Sequence, residues 1–287
     1  MAKVPSMSFA EFEELRRMFN VEAGLHFDSS ARAIFRRRLG PRLLARDLDS
    51  FTQYVQLLRF GPHARSERGI ALDLVTTGET YFFRHQEQLD VLGYTIMPAL
   101  SSDNWASRRL TIWSAGCATG EEVYTSAILA LESGLFDGWT IRVIGTDISP
   151  ERIEHARQAC YFQGAFRSTP DHLRERYFES TGRFWQVRES VRRLCSFSIL
   201  NLLRADESAI LGRVDVILCR NVLLYLDDAA RRRVIGNLYD RLVTGGYLLL
   251  GHSESLKFLD TPIELASVEG DLAYRRPELP SPRGTFR

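Results

Sequence analysis

From about residue 108 onward the chain alternates short apolar, β-type runs with helical stretches, and few folds accept that pattern. LTIWSAG, TIRVIGTD, SFSILNLL, VDVILCRN and GYLLLGHSE read as strands, while EEVYTSAILALESG, SPERIEHARQACY and DDAARRRVIGNLYDRLVTGG read as helices. Units of this length predict an α/β fold with a parallel sheet covered on both faces. The segment RFWQVRESVRRLCSF, residues 183–197, interrupts the alternation and reads as a small β excursion. The Pro- and Arg-rich tail RRPELPSPRGTFR reads as disordered.

The first 76 residues have a different character and read as a small all-helical unit. Ser8 is placed to cap FAEFEELRRMF, which Gly24 ends. Asp28, Ser29 and Ser30 offer a new cap before ARAIFRRRLGPRLLAR, which Gly40-Pro41 is expected to interrupt. Ser50 opens FTQYVQLLRF, stopped by Gly61-Pro62, and SERGIALDLVTT follows as a fourth helix. A hydrophobic content of 45% is enough for a sizeable core. No apolar run reaches the ~18 residues of a membrane span, and MAKVPSMSFAEFEEL lacks the apolar stretch of a signal peptide, so a cytoplasmic protein with no membrane insertion is expected. A net charge of +1 argues against bulk nucleic-acid binding. Cys117, Cys160, Cys195 and Cys219 form no CxxC pair and no Cys/His cluster, so reduced thiols and no metal site are expected.

Chemistry-bearing residues gather where the strands end. The turn Gly116-Cys117-Ala118-Thr119-Gly120 lets backbone approach a ligand, but it lacks the middle glycine that admits a pyrophosphate, so a cofactor without one fits better. Asp147 ends the second strand, where a carboxylate can accept both ribose hydroxyls of a nucleoside. The alternative is a helix cap, a job Ser149 can do, which leaves Asp147 free for the sugar. Asn201, and then Arg220 and Asn221, follow the next two strands, at the edge where open α/β sheets bind ligands; an Asn there can read an adenine edge. In TTGETYFFR, residues 76–84, Arg84 beside three aromatics is either a packed junction or an Arg held rigidly over a ligand.

TTGETYFFR, WSAGCATGEEVYTSAI, GTDIS, NLL, CRNVLLYL and GGYLLLGHSESL, in that order, resemble the CheR-type chemotaxis receptor methyltransferases over nearly the whole chain. The resemblance implies a small N-terminal helical domain followed by a Rossmann-like methyltransferase domain that uses S-adenosyl-L-methionine and carries a small inserted β subdomain. It implies boundaries of 1–76 for the helical, receptor-docking domain and 77–276 for the cofactor domain, with the β subdomain near 172–198 and a tail at 277–287. It also implies residue roles. Thr80 and Arg84 approach the methionine end of the cofactor, and Glu122 and Asp147 hold its amino group or ribose. Asn201 and Leu202 flank the adenine, Arg220 and Asn221 line the cleft, and Tyr225 lies near the methyl group with Arg84. Periodicity leaves open whether Glu121 or Glu122 points inward; motif position favours Glu122. The family usually carries Asn where this chain has Gly78, which removes a side-chain contact to the cofactor region, and Ser where it has Ala118.

The implied reaction gives glutamyl methyl esters on the cytoplasmic methylation helices of chemoreceptors, with S-adenosyl-L-homocysteine as the other product and no metal. A glutamate of pKa about 4.3 is already ionised at pH 7, so the reaction needs no general base. GHSES lacks the last glycine of a nucleophile elbow, and His252 reads as a structural residue. Alternatives are a methyltransferase for another acceptor and a non-catalytic cofactor-binding scaffold. Arg32, Arg36 and Arg37, in a helix that also holds Arg38, Arg42 and Arg46, can form a basic face for acidic receptor helices. The short connection ESTGRFWQ suggests that a monomeric enzyme finds its receptor through the helical unit rather than through a receptor tail peptide added to the β subdomain.

Overall fold

The computed structural model describes residues 4–76, 78–257, 259–267 and 272–278. Four helices form the N-terminal unit: α1 Phe9–Ala23, α2 Arg32–Leu44, α3 Phe51–Phe60 and α4 Ala64–Val75. Ser8 and Glu11 close a capping box on α1, and Gly24 ends it in the left-handed region at φ 69°. A Cβ on Gly24 would lie 2.4 Å from Ala230 Cβ, so only glycine allows this approach to the second domain. Asp28 caps a 3-10 turn, Ser29–Ala31, that leads into α2, and Ser50 caps α3. The helices close over Phe12, Phe19 and Phe35, with Phe12 and Phe35 edge to face at 5.2 Å.

The expected break at Gly40-Pro41 does not occur, and α2 runs through Pro41. Proline there removes one backbone hydrogen bond. The burial of Phe35, Leu39 and Leu43 along one face outweighs that loss, and Gly40 admits Val4, whose Cγ1 would sit 2.3 Å from a Cβ. Glu67 of α4, 1% exposed, ties the helices together by accepting from Arg42 (2.8 and 2.7 Å), from Arg46 and from Tyr54 (3.1 Å). Burial would raise the carboxyl's pKa, but the hydrogen bonds from the two arginines prevail and hold it down to about 2. Arg38 donates to the carbonyls of Leu74, Val75 and Thr76. Of the six arginines, Arg38, Arg42 and Arg46 therefore act inside the unit, and Arg32, Arg36 and Arg37 remain on the surface.

Residues 86–103 are helical, α5 Gln86–Asp90 and α6 Met97–Asp103 joined by a π segment at Val91–Ile96. The α/β part follows with β1 Arg109–Ala115, α7 Glu121–Glu132, β2 Thr140–Asp147, α8 Pro150–Gln158, β3 Cys160–Phe162, α9 Asp171–Tyr177, β4 Phe178–Ser180 and β5 Phe184–Val187. It continues with α10 Glu189–Arg192, β6 Cys195–Ile199, α11 Ala205–Ala209, β7 Val214–Cys219, α12 Asp228–Arg241, β8 Leu242–Leu250, β9 Glu264–Ser267 and β10 Leu272–Arg275. Among the described residues the main sheet has the order β6-β2-β1-β7-β8-β10-β9. The five strands from β6 to β8 are parallel; β10 and β9 add an antiparallel edge that the sequence did not announce. Strand order reverses at β1, which pairs with both β2 and β7, and a crevice opens at such a switch point.

The β excursion read at 183–197 holds only for β5, the central strand of the small sheet; its partners β3 and β4 come earlier in the chain. β3, β5 and β4 form a separate antiparallel sheet, whereas Cys195–Ile199 pairs with β2 in the main sheet. The helix read through SPERIEHARQACY stops at Gln158 because Ala159 turns left-handed, φ 54°, and delivers Cys160 into β3. Likewise α12 ends at Arg241, and LVTGG belongs to β8, where Gly245 at φ 78° and a register shift opposite Val214–Val216 make a bulge. Of the tail read as disordered, Arg275 instead ends β10 and Arg276 donates to the Tyr239 and Leu242 carbonyls, while residues 279–287 lie outside the described residues.

Candidate cofactor site

One cavity of about 1230 Å³, counted to its open mouth, lies at the switch point and brings together the strand-end residues. The turn after β1 forms its floor. Gly116 at φ 85° and Ala118 at φ 47° expose backbone there, and a Cβ on Gly116 would meet Val222 at 2.5 Å. Asp147 is buried, and Ser149 takes the cap of α8 as expected, but the carboxylate also holds two backbone amides. Its Oδ2 accepts from Ala118 N–H at 2.9 Å and its Oδ1 from Ser149 N–H at 3.0 Å, while the Ser149 hydroxyl caps α8 through Arg152 N–H. Each carboxylate oxygen keeps a further lone pair for a ligand hydroxyl.

Glu122 lines the cavity, and Glu121 does not. Glu122 Oε1 accepts from the Ser114 hydroxyl at 2.7 Å, and Oε2 from Arg220 Nη1 at 3.0 Å. Arg220 also donates to Gln88 Oε1 and to the Arg84 carbonyl, each at 2.7 Å, and Gln88 donates to the Leu250 carbonyl at 2.6 Å. This buried network joins β1, α7, α5 and the ends of β7 and β8. Glu121 turns into the protein onto the Thr119 hydroxyl, and burial pushes its carboxyl up to about 7.

Arg84 stands between two left-handed non-glycine residues, Phe83 at φ 57° and His85 at φ 59°. Strained backbone of this kind persists where the surroundings fix it. Here Phe82 and Phe83 are buried, and Phe83 N–H donates to Thr125 at 3.2 Å. Arg84 Nη1 donates to the Glu79 carbonyl at 2.7 Å, and Thr80, Arg84, Asn221 and Tyr225 share the cavity wall. Leu202 lines the apolar end beside Ile148 and Leu200. Asn201 is there too, but its side chain is occupied: Nδ2 donates to the Glu22 carbonyl at 2.8 Å and Oδ1 accepts from Leu203 N–H at 3.0 Å. It ties the loop to α1, and these two hydrogen bonds fix the orientation of its amide.

Arg152, Gln88 and Glu254 were not singled out in the sequence. Arg152 lines the cavity and occupies the space beside Gly78, where a Cβ would lie 2.8 Å from its Cζ. It donates to Thr76 Oγ1 at 2.8 Å. A cationic side chain thus occupies the space that a side chain at position 78 would need. Charged residues in a helix's first turn carry no distinguishing pattern, and only the fold brings residues 78 and 152 together. Among the described residues no group of His, Cys, Asp or Glu is arranged to hold a metal ion.

A cavity lined by apolar Ile148, Leu200 and Leu202, by the Asp147 carboxylate and by the Glu122–Arg220 pair offers both apolar and charged surface to a ligand. Exposed backbone at Gly116 and the buried Asp147 carboxylate fit a nucleoside-bearing cofactor. An open α/β sheet with its ligand cavity at the switch point defines a nucleotide-type cofactor-binding fold. Residues 10–76 match the family described as CheR methyltransferase, all-alpha domain, and residues 78–271 match CheR methyltransferase, SAM binding domain. The chain is 31% identical over 277 residues to a chemotaxis protein methyltransferase of Vibrio parahaemolyticus, covering 94% of this chain and 98% of that one. It is 30% identical over 279 residues to chemotaxis protein methyltransferase 1 of Pseudomonas aeruginosa, covering 94% and 99%. The protein belongs to the CheR methyltransferase family.

Proposed function

We propose that this protein methylates glutamate side chains on the cytoplasmic helices of chemoreceptors, giving glutamyl methyl esters and S-adenosyl-L-homocysteine. The observation that carries the reading is the presence in one chain of both CheR parts, the all-α part at 10–76 and the SAM-binding part at 78–271. Residues 1–76 serve as the docking unit and residues 77–276 as the catalytic one, in a cytoplasmic monomer that does not engage nucleic acid. When bound, S-adenosyl-L-methionine supplies a methyl group made electrophilic by its sulfonium.

Asp147 grips the ribose, and Glu122, fixed by Ser114 and Arg220, receives the amino group. Leu202 and the backbone at Asn201 flank the adenine. Thr80 and Arg84 border the methionine end, Arg220 and Asn221 line the cleft, and Arg84 and Tyr225 orient the acceptor. An acceptor carboxylate is ionised at neutral pH, so these residues contribute orientation and partial desolvation rather than proton removal, and such positioning is worth several kcal/mol. The product test is direct. A receptor fragment labelled from methyl-tritiated cofactor should release volatile methanol in mild alkali; alkali-stable label would overturn the ester.

The docking surface gives a second test. Arg32, Arg36 and Arg37 are exposed on α2 and free of the internal ion pairs that occupy Arg42 and Arg46. Charge reversal at Arg36 and Arg37 should raise the apparent receptor KM by about threefold or more, with a smaller difference at high salt, and leave S-adenosyl-L-homocysteine affinity unchanged. Normal receptor KM in both variants would place docking on another surface.

A further inference from the structure

The loop bearing Arg220, Asn221 and Tyr225 leaves β7 through a left-handed residue, Asn221 at φ 59°, and enters a 3-10 turn at Leu223–Tyr225. Asparagine enters that region more readily than other side-chain-bearing residues, which suits it to the sharp turn out of β7. One side of the loop is fixed by the helical unit: His26 N–H donates to the Tyr225 carbonyl at 2.7 Å, and Leu25 bridges to Leu226. Arg231 Nε donates to the Leu223 carbonyl at 2.9 Å, and the amides of the loop turn to a buried carboxylate, Glu254, just beyond β8. Its Oε2 accepts from Asn221 N–H at 2.8 Å and Gly251 N–H at 2.6 Å, and its Oε1 accepts from Leu224 N–H at 3.1 Å. Gly251 belongs to the same device, because a Cβ there would lie 2.8 Å from Glu254 Oε2 and 2.9 Å from Asn221 N. Hydrogen bonds from backbone N–H to an ionised carboxylate are of the stronger kind.

We propose that Glu254 is a positioning residue for methyl transfer: by holding the amides of Asn221 and Leu224 it sets the loop that aims Tyr225 at the acceptor. The inference rests on the methyltransferase reading above. It bears more on turnover than on cofactor affinity, since the side chains of Asp147, Glu122 and Arg220 have hydrogen bonds of their own that do not involve Glu254. Glu254→Gln keeps the size but turns one acceptor oxygen into an NH2 that faces N–H donors. Glu254→Asp keeps the charge and is one methylene short; it decides the case if the Gln variant does not fold.

The test measures receptor methylation, S-adenosyl-L-homocysteine affinity by calorimetry and melting temperature in the full chain, with each variant alone and combined with Tyr225→Phe. Glu254→Gln should lower kcat about tenfold or more, and Glu254→Asp less, while the dissociation constant for S-adenosyl-L-homocysteine stays within about threefold. In the Tyr225→Phe background the Glu254→Gln step should shrink to about twofold or less, because the two residues act as a unit. A loss that multiplies fully with Tyr225→Phe, one that falls equally on cofactor affinity, or a fall in melting temperature alone would overturn the proposal. Wild-type protein that methylates no receptor would defeat the proposed function instead. Hydrogen exchange then judges the loop: amides of Asn221 and Leu224 should exchange about tenfold faster in Glu254→Gln with β1 and β2 unchanged. Unchanged exchange at those amides would sink the inference.

Discussion

Replacing Arg220 by Met should cost about 3–5 kcal/mol of folding stability, the range for removing one partner of a buried ion pair. The side chain is 4% exposed and its partner Glu122 is 16% exposed, so water does little to replace the lost guanidinium. Three acceptors lose a donor together: Glu122 Oε2, Gln88 Oε1 and the Arg84 carbonyl. Urea unfolding measures the effect as a shifted midpoint at unchanged slope. Arg220→Lys should fall between, because an ammonium cannot reproduce the fork that spans those acceptors. Pairing Arg220→Met with Glu122→Met should recover about half of the loss or more, since no buried charge then remains alone. A single-variant loss below about 1 kcal/mol would show that the network is solvated and does not organise the site.

The same network shows how far a sequence can be read. Polar residues directly after apolar strand runs mark the carboxyl edge of an α/β sheet, so the sequence alone assigns Asp147, Asn201, Arg220 and Asn221 to one site. The geometry brings all four to one cavity. Which atoms of those residues remain available is a matter of long-range hydrogen bonding. Asn201 is committed to Glu22, 179 positions earlier, and Arg220 to Gln88, 132 positions earlier. Gln88 and Glu254 carry no local pattern, because a buried polar residue is recognisable only once its partners are known. Local chemistry failed where tertiary packing outweighed it, as at Pro41 inside α2, and where a single left-handed residue changed the element type, as at Ala159. The helical unit also proves to be part of the cavity rather than an appendage: Ala23, Leu25 and Leu72 line it, and the chain after α1 holds the Tyr225 loop.

Asp147→Ala should weaken S-adenosyl-L-homocysteine binding by about 1.5–3 kcal/mol, or about 10- to 150-fold, the range for hydrogen bonds to a charged group. The carboxylate has two separable tasks. It accepts from Ala118 and Ser149 N–H and so holds the turn that floors the cavity, and it has lone pairs left for the ribose hydroxyls. Loss of the first task alone would loosen the floor and weaken any ligand to the same degree. Loss of the second would weaken only ligands that carry the hydroxyls. Calorimetric titration with S-adenosyl-L-homocysteine and with its 2′,3′-dideoxy analogue separates them. If Asp147 grips the ribose, the variant should bind the dideoxy analogue nearly as well as the wild type does, while its affinity for the natural ligand collapses. Equal penalties for both ligands would leave Asp147 as the support of the Gly116–Ala118 turn and remove it from the ribose.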